Sequence, residues 1–294
     1  MSLHEKFPLH IVTAARNEAQ HLPQLADSLL RQTERPYSWT IVDDGSQDET
    51  PSIIDELEEQ FDWINHISVA DRGYYARGTG NTHALKLGFN DAMQASGTEA
   101  LGVFDADISF GGDTVEQIYD SFLSNAKLGV YGGEIFELQN GQWLSPVVLP
   151  EDFVRGACKI YRKQCYQDIG GIVTRRGWDS IDNLTAAMKG WDVQRDASLI
   201  IRHHRNVGSR DGFVKDQYKS GRDAYYMGSD PLLVLARGLR KAVCSKPYFA
   251  GGLIFLSAYF GNAFLRKEQY PDTEFREFVK KKHRQLLLSG EYKW

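Results

Sequence analysis

The sequence predicts an α/β fold with a mostly parallel central sheet, helices on both faces and a helical C-terminal extension. Three observations carry that expectation. Short apolar runs alternate with stretches of helical period from Leu9 to Phe104. Acidic residues stand at the ends of apolar runs, where open α/β sheets bind their ligands. After Leu128 the rhythm changes, and an uncharged run with basic flanks appears near the C-terminus.

Leu9-His10-Ile11-Val12-Thr13 reads as a buried strand, and Leu22, Leu25, Leu29 and Leu30 behind it fall at helical spacing. Trp39-Thr40-Ile41-Val42 is the second strand, stopped by the turn residues Asp44-Gly45-Ser46. Thr50-Pro51 opens a helix with a cap residue and a proline at its first position. Ile53, Ile54, Leu57 and Phe61 form the inward stripe of that helix. Ile64 to Val69 is the third strand, and Asn81 to Ala95 a third helix with Ala84, Leu85, Ala92 and Met93 inward. Ala100 to Phe104 is a fourth strand that runs straight into Asp105. Strand alternating with helix argues for a parallel sheet covered on both faces.

Leu128 to Leu138 reads as a hairpin, followed by a Pro-containing loop and a mixed segment holding Gly156, Gly170-Gly171 and Asp179. The expected organisation is an α/β half over 1–127, a second half of the same domain over 128–210, and a helical extension over 211–294. Phe249 to Leu265 is uncharged, contains glycines and an asparagine, and falls short of spanning length. It reads either as a buried core helix or as a helix lying in a membrane interface, with basic flanks facing anionic headgroups. A last helix, Thr273 to Ser289, is basic at Lys280-Lys281-Lys282.

Composition is that of an ordinary folded protein, 42% hydrophobic and 25% charged over 294 residues. A net charge of −5 argues against a general affinity for nucleic acid. Three cysteines without framework spacing point to a reducing compartment. Met1 to Phe7 has no apolar segment of the secretory type, so a cytoplasmic location is expected.

Four acidic or histidine clusters can carry chemistry. Asp43 and Asp44 at a strand end suit hydrogen bonds from a base N–H or a ribose hydroxyl, although Asp-Asp-Gly-Ser is also an ordinary turn. In Asp105-Ala106-Asp107, two carboxylates after a buried strand can grip a hard divalent cation whose shell diphosphate oxygens complete. As an aspartate, Asp179 can accept a hydroxyl proton. The plain alternative is that Asp179 caps a helix running through Ala187, with Asp182 one turn on. In His203-His204 one imidazole can be a further metal ligand. Gly78-Thr79-Gly80 is a poor dinucleotide loop, because His83 stands where the third glycine belongs.

Taken in order, Ile11-Val12-Thr13-Ala14-Ala15-Arg16-Asn17-Glu18, Ile41 to Thr50, and Phe104-Asp105-Ala106-Asp107 resemble a family-2 glycosyltransferase of the GT-A fold. The resemblance continues through Gly170-Gly171 and Gly177 to Asp182, as far as Gly190-Trp191 and the His203-His204-Arg205 stretch. It implies an inverting transfer from a nucleotide sugar, UDP-linked by preference, with Mn²⁺ or Mg²⁺ as cofactor and a glycan or lipid-linked acceptor. Asp44 would recognise the base, with Asp43 and the backbone at Ala14 lining the pocket and Arg16 and Arg77 adding contacts to the nucleotide. Asp107 would bind the metal, with His204 as the extra ligand ahead of His203, and Asp105 would contact ribose or a metal-bound water. Asp179 would be the base, while Trp178, Asp182 and Gly156 would line the acceptor side.

The chain departs from the family at one point, with Trp178-Asp179 where Glu-Asp is usual. The Gln-x-x-Arg-Trp sequence of processive enzymes is absent, which implies one sugar per event. Two other classes share the parallel start. A sugar-1-phosphate nucleotidyltransferase would need glycine in the Thr13-Ala14-Ala15-Arg16-Asn17 loop. A non-catalytic nucleotide- or glycan-binding relative would not need both Asp107 and Asp179.

Overall fold

The computed structural model describes residues 3–71, 79–139, 141–145, 150–205, 212–244 and 247–289. They fall into two compact units, Met1–Arg205 and Asn206–Trp294. In the first, chain order is α1 (Leu3–Lys6), β1 (Leu9–Ala15), α2 (Leu22–Leu30), β2 (Ser38–Asp43), α3 (Thr50–Gln60), β3 (Ile64–Ser68), α4 (Thr79–Gln94) and β4 (Ala100–Phe104). There follow β5 (Ile108–Phe110), α5 (Thr114–Ser124), β6 (Leu128–Gln139), β7 (Gln142–Leu144), β8 (Cys158–Arg162), α6 (Lys163–Asp168), α7 (Trp178–Met188) and β9 (Asp192–His203).

One sheet runs β3-β2-β1-β4-β8-β6-β9-β5, with β7 paired to β6. The first four strands are parallel, as the alternating pattern requires. Their carboxyl ends therefore share one edge, and Ala15 lies opposite Asp43 in the register. One face is covered by a core including Leu22, Leu25, Leu29, Ile54 and Ile118 from α2, α3 and α5. The other is covered by Ala84, Leu85, Phe89 and Ala186 from α4 and α7.

Three local expectations need correction. Leu128 to Leu138 is not a hairpin but part of the 12-residue strand β6, which turns only beyond Gln139 to meet β7. Gly132-Gly133, which resembles a turn in sequence, permits close strand approach instead. A Cβ at Gly132 would lie 2.4 Å from the Cys158 carbonyl oxygen, and one at Gly133 2.3 Å from that of Leu199. Thr50 is the first residue of α3, not its cap; Asp48 Oδ1 accepts the Thr50 N–H at 3.0 Å in the preceding turn. Leu30, expected inward, is 39% exposed, because Leu22, Leu25 and Leu29 already fill the buried face of α2.

The second unit consists of α8 (Phe213–Tyr226), α9 (Pro231–Cys244), α10 (Ala250–Phe264) and α11 (Thr273–Ser289). Its core is built from Ala224, Tyr225, Val234, Phe255 and Tyr259. The buried Asp230 accepts a hydrogen bond from Arg284 Nε at 2.8 Å, which ties α11 to the start of α9. Among the described residues no helix is long and apolar enough to cross a membrane.

Candidate active site

The carboxyl ends of β1 and β2 are stitched into one surface. Asp44 N–H donates to the Ala15 carbonyl at 2.8 Å, and Asp43 Oδ1 accepts the Ser46 N–H at 3.0 Å. Arg16 donates to the Asp44 carbonyl at 2.8 Å and to Asp71 Oδ1 at 2.6 Å, while Gln47 holds the other Asp71 oxygen at 2.7 Å. Gly45 has φ +74°, and a Cβ there would lie 2.5 Å from the Asp71 Cα, so only glycine fits this turn. Both Asp43 and Asp44 are buried at this edge. Arg77 lies outside the described residues.

The next cluster forms where β4 ends and β9 arrives. β5 and β9 run antiparallel with Ile108 opposite His203, which sets that imidazole beside Asp107. His203 Nε2 lies 3.1 Å from Asp107 Oδ1. Ligand atoms of Asp105, Asp107 and His203 all fall within 4.8 Å of one another. Burial and the neighbouring Asp107 charge push Asp105 up to about 7. Burial works the same way on Asp107, but the hydrogen bond and charge of His203, with Arg205, hold it below its ordinary value. Burial opposes the His203 charge, yet the hydrogen bond and field of Asp107 raise its pKa. Among the described residues, His203 Nδ1 is a buried nitrogen with no hydrogen-bond partner. Two carboxylates and an imidazole match the donor set of Mn²⁺ and related divalent cations.

His204 is not part of this group. Its Nε2 lies 2.8 Å from Ser109 Oγ, and its ring meets Trp143 edge-on at 5.3 Å. His203 is the last residue of β9, whereas His204 lies in the bend beyond it, where its N–H donates to the Asp107 carbonyl at 2.8 Å while its ring turns to Ser109. A clamp that no sequence motif announces lies beside the cluster. Arg205 donates to both oxygens of the buried Glu18, at 2.9 and 2.5 Å, and its Nε lies 3.5 Å from Asp107 Oδ2. The signal was present in Asn17-Glu18 and His203-His204-Arg205, but nothing local links them.

Helix α7 is attached to the same region through β8. Asp105 N–H donates to the Ala157 carbonyl at 2.9 Å, and a Cβ on the adjacent Gly156 would lie 2.7 Å from the Trp178 ring. Trp178 is only 8% exposed and Asp182 only 2%, so neither offers an acceptor surface as expected. The indole is occupied by Gly156 on one side and by Lys159, whose Nζ stands 5.4 Å from the ring. Asp182 accepts from Tyr161 Oη at 2.6 Å and lies 3.9 Å from Lys159 Nζ. Asp179 is half-buried in the first turn of α7, and the cap position belongs to Gly177.

Lys159 is wholly buried and donates to the Asp179 carbonyl at 2.8 Å, so it fixes the first turn of α7 from below. Burial lowers the Lys159 pKa and raises Asp182 to about 6, each opposed by the other's charge. Lys159→Met is expected to cost about 3–5 kcal/mol in urea unfolding, because it strands a buried carboxylate. In Lys159→Met/Asp182→Leu part of that loss should return, less what the Tyr161 hydroxyl loses with its acceptor. An additive double variant would show that the two side chains are not energetically coupled.

Residues 10–146 match the sequence model of glycosyl transferase family 2. A β-monoglucosyldiacylglycerol synthase of Trichormus variabilis is 26% identical over 236 residues, covering 70% of this chain and 49% of the relative. The chain thus spans about half the length of the curated relative it matches. S. aureus TarS 1-349 in complex with UDP-GlcNAc superposes with a TM-score of 0.53 at 15% identity, over 89% of this chain and 74% of TarS. The mannosyltransferase PcManGT of Pyrobaculum calidifontis, in complex with GDP-Man and Mn²⁺, gives 0.52 at 16% identity, over 96% and 79%. The likeness to these structures is one of fold, the GT-A arrangement of a mainly parallel sheet between helices. With the ordered acidic clusters on that fold, the match over 10–146, just under half of the chain, identifies that segment as glycosyl transferase family 2.

Proposed function

We propose that this chain is a metal-dependent, inverting glycosyltransferase acting in polysaccharide or glycolipid biosynthesis. It moves one sugar from a nucleotide-diphosphate sugar, a UDP-sugar by preference, to a glycan or lipid-linked acceptor. The observation that carries this reading is the linkage of two sites. The Asp105–Asp107–His203 group is joined through Ala157 and Gly156 to the helix that presents Asp179. The printed name of the cyanobacterial relative is that of a glycolipid synthase, and both solved neighbours hold nucleotide sugars, which supports these donor and acceptor classes.

Asp43, Asp44 and the backbone of Ala14 line the nucleotide pocket, and Arg16 keeps that loop in shape through Asp71. Arg77 is assigned a contact with the nucleotide. Asp105, Asp107 and His203 would hold Mn²⁺ or Mg²⁺, which when bound neutralises charge on the departing diphosphate. His203 takes the ligand place first assigned to His204, on geometry. Asp179 accepts the acceptor hydroxyl proton as that oxygen bonds to the anomeric carbon and the bond to the β-phosphate oxygen breaks. Attack from the face opposite the diphosphate inverts the configuration.

In this reading residues 1–127 bind the donor, 128–210 complete the catalytic and acceptor side, and 211–294 form a membrane-associating extension. The enzyme works in the cytoplasm, peripherally on the inner face of the membrane. The test is a panel of UDP-sugars and GDP-mannose, assayed for binding and for nucleotide release with Mn²⁺, Mg²⁺ or chelator. Chelator-sensitive turnover of at least one donor is expected, and silence across the panel in every metal condition would refute the reading.

A further inference from the structure

The second unit has bulky apolar side chains both in its core and on one outer face. Where α8, α9 and α10 cross, they meet through glycines. A Cβ at Gly221 would lie 2.2 Å from the Phe255 carbonyl oxygen, and one at Gly252 2.2 Å from that of Gly238. Besides those in the core, further large apolar side chains stand outside. On α9, Leu232 (64% exposed), Leu239 (63%) and Val243 (67%) form one stripe, and on α10 Leu253 (65%), Phe260 (39%) and Phe264 (87%) form another. In water the preference runs the other way, with leucine and phenylalanine inside. Close glycine crossings with bulky side chains outward are how helices pack when the surroundings are apolar.

The two stripes share one side of the helix pair. Each residue advances roughly 100° around a helix. Gly238 and Ala242 face α10 from α9, and Gly252 and Leu256 face α9 from α10. On each helix the exposed stripe lies about a quarter turn further on in the same rotational sense from that contact line. The pair is antiparallel, since Gly252 meets Ala242 while Leu256 meets Gly238, and Phe249 N–H donates to the Ala242 carbonyl at 2.8 Å. Equal rotation on antiparallel helices brings both stripes to one face. Phe255 and Ala258, which receive Gly221 of α8, lie on the opposite side of α10.

The charge on the two helices has one sign. Neither α9 nor α10 contains an acidic residue and Arg240 is exposed on α9, while Arg266 and Lys267, followed by Glu268, are exposed just beyond α10. With 15 residues, α10 is about 22 Å long, too short for a hydrocarbon core of about 30 Å. We propose that the α9–α10 face is a monotopic docking surface that lies in the plane of an anionic bilayer. Leu232, Leu239, Val243, Leu253, Phe260 and Phe264 enter the acyl boundary, and the cations rest at headgroup level. The proposal rests on the membrane-facing part of the reading above and gives it a surface.

Full-length chain is sedimented with phosphatidylcholine vesicles and with phosphatidylcholine–phosphatidylglycerol vesicles, and nucleotide release with a soluble glycan acceptor is followed in parallel. Wild type should partition to the mixed vesicles. Leu239→Glu/Phe264→Glu should lower that partitioning about a hundredfold, since each inserted side chain is worth about tenfold or more. Both positions are exposed, so the fold should survive, which circular dichroism checks. Arg266→Gln/Lys267→Gln should reduce only the preference for the anionic lipid. Wild type left in the supernatant with both vesicles would overturn the proposal. So would equal partitioning of the Leu239→Glu/Phe264→Glu variant, or a lipid-independent dimer that this variant dissolves. Normal partitioning without nucleotide release from any donor of the panel, with soluble or lipid-linked acceptor, would instead sink the transferase reading and leave the surface standing.

Discussion

Asp179→Asn is expected to lower turnover about a hundred- to ten-thousandfold, the usual worth of a general base. Donor affinity should change little, because the nucleotide and metal contacts lie on other strands. The structure removes the competing explanation that Asp179 is a helix cap. Gly177 holds the cap position at φ +78°, and among the described residues the Asp179 carboxylate accepts the N–H of its neighbour Ser180 at 3.0 Å. Asparagine can keep that local contact and the shape of the first turn but cannot take a proton. Lys159 grips the Asp179 carbonyl from beneath, and the substitution leaves this bond untouched. Loss of turnover with an unchanged unfolding curve would therefore report chemistry, not stability. Near wild-type turnover would move the search for the base outside α7, because Asp182 is sealed under Tyr161 and Lys159.

The parallel half was legible because each strand is a short apolar run closed by turn residues and each helix shows its buried stripe. β1 to β4 and α2 to α4 stand close to where periodicity puts them. Beyond Leu128 the same rules fail. Gly132-Gly133 carries turn chemistry, yet its lack of side chains serves contact with Cys158 and Leu199, residues distant in sequence. The candidate site divides in the same way. Asp43, Asp44, Asp105 and Asp107 are visible because charge at the end of a buried strand is costly without a task. The choice between His203 and His204 depends on where β9 ends and on the β5–β9 register that pairs His203 with Ile108, which no local pattern contains. Trp178 and Asp182 look like acceptor contacts beside Asp179, but helical geometry turns both toward Gly156, Lys159 and Tyr161. The Glu18–Arg205 clamp joins the two ends of the first unit and is invisible until they meet.

His203→Ala and His204→Ala should separate sharply in a Mn²⁺ titration followed by the loss of free-ion signal. His203→Ala removes a nitrogen from the three-residue group and should weaken metal binding at least about tenfold, the lower end of what even supporting residues contribute. His204→Ala should leave the affinity near wild type, since that ring is spent on Ser109 and Trp143. Asp107→Ala should go further and abolish the metal dependence of UDP-sugar binding, while Asp44→Ala weakens UDP with or without metal. The pH dependence has a definite sign. A ligand must lose its proton before it binds a cation, so metal and proton compete. Asp107 raises the His203 pKa, and Asp105 stands at about 7, so both still hold protons at mildly acidic pH. Affinity for Mn²⁺ should therefore rise from pH 5.5 to 8, a window of about one unit or more either side of Asp105, and His203→Ala should flatten part of that rise. Equal loss in the two histidine variants, or a slope that His203→Ala leaves intact, would place the metal elsewhere than on Asp105, Asp107 and His203.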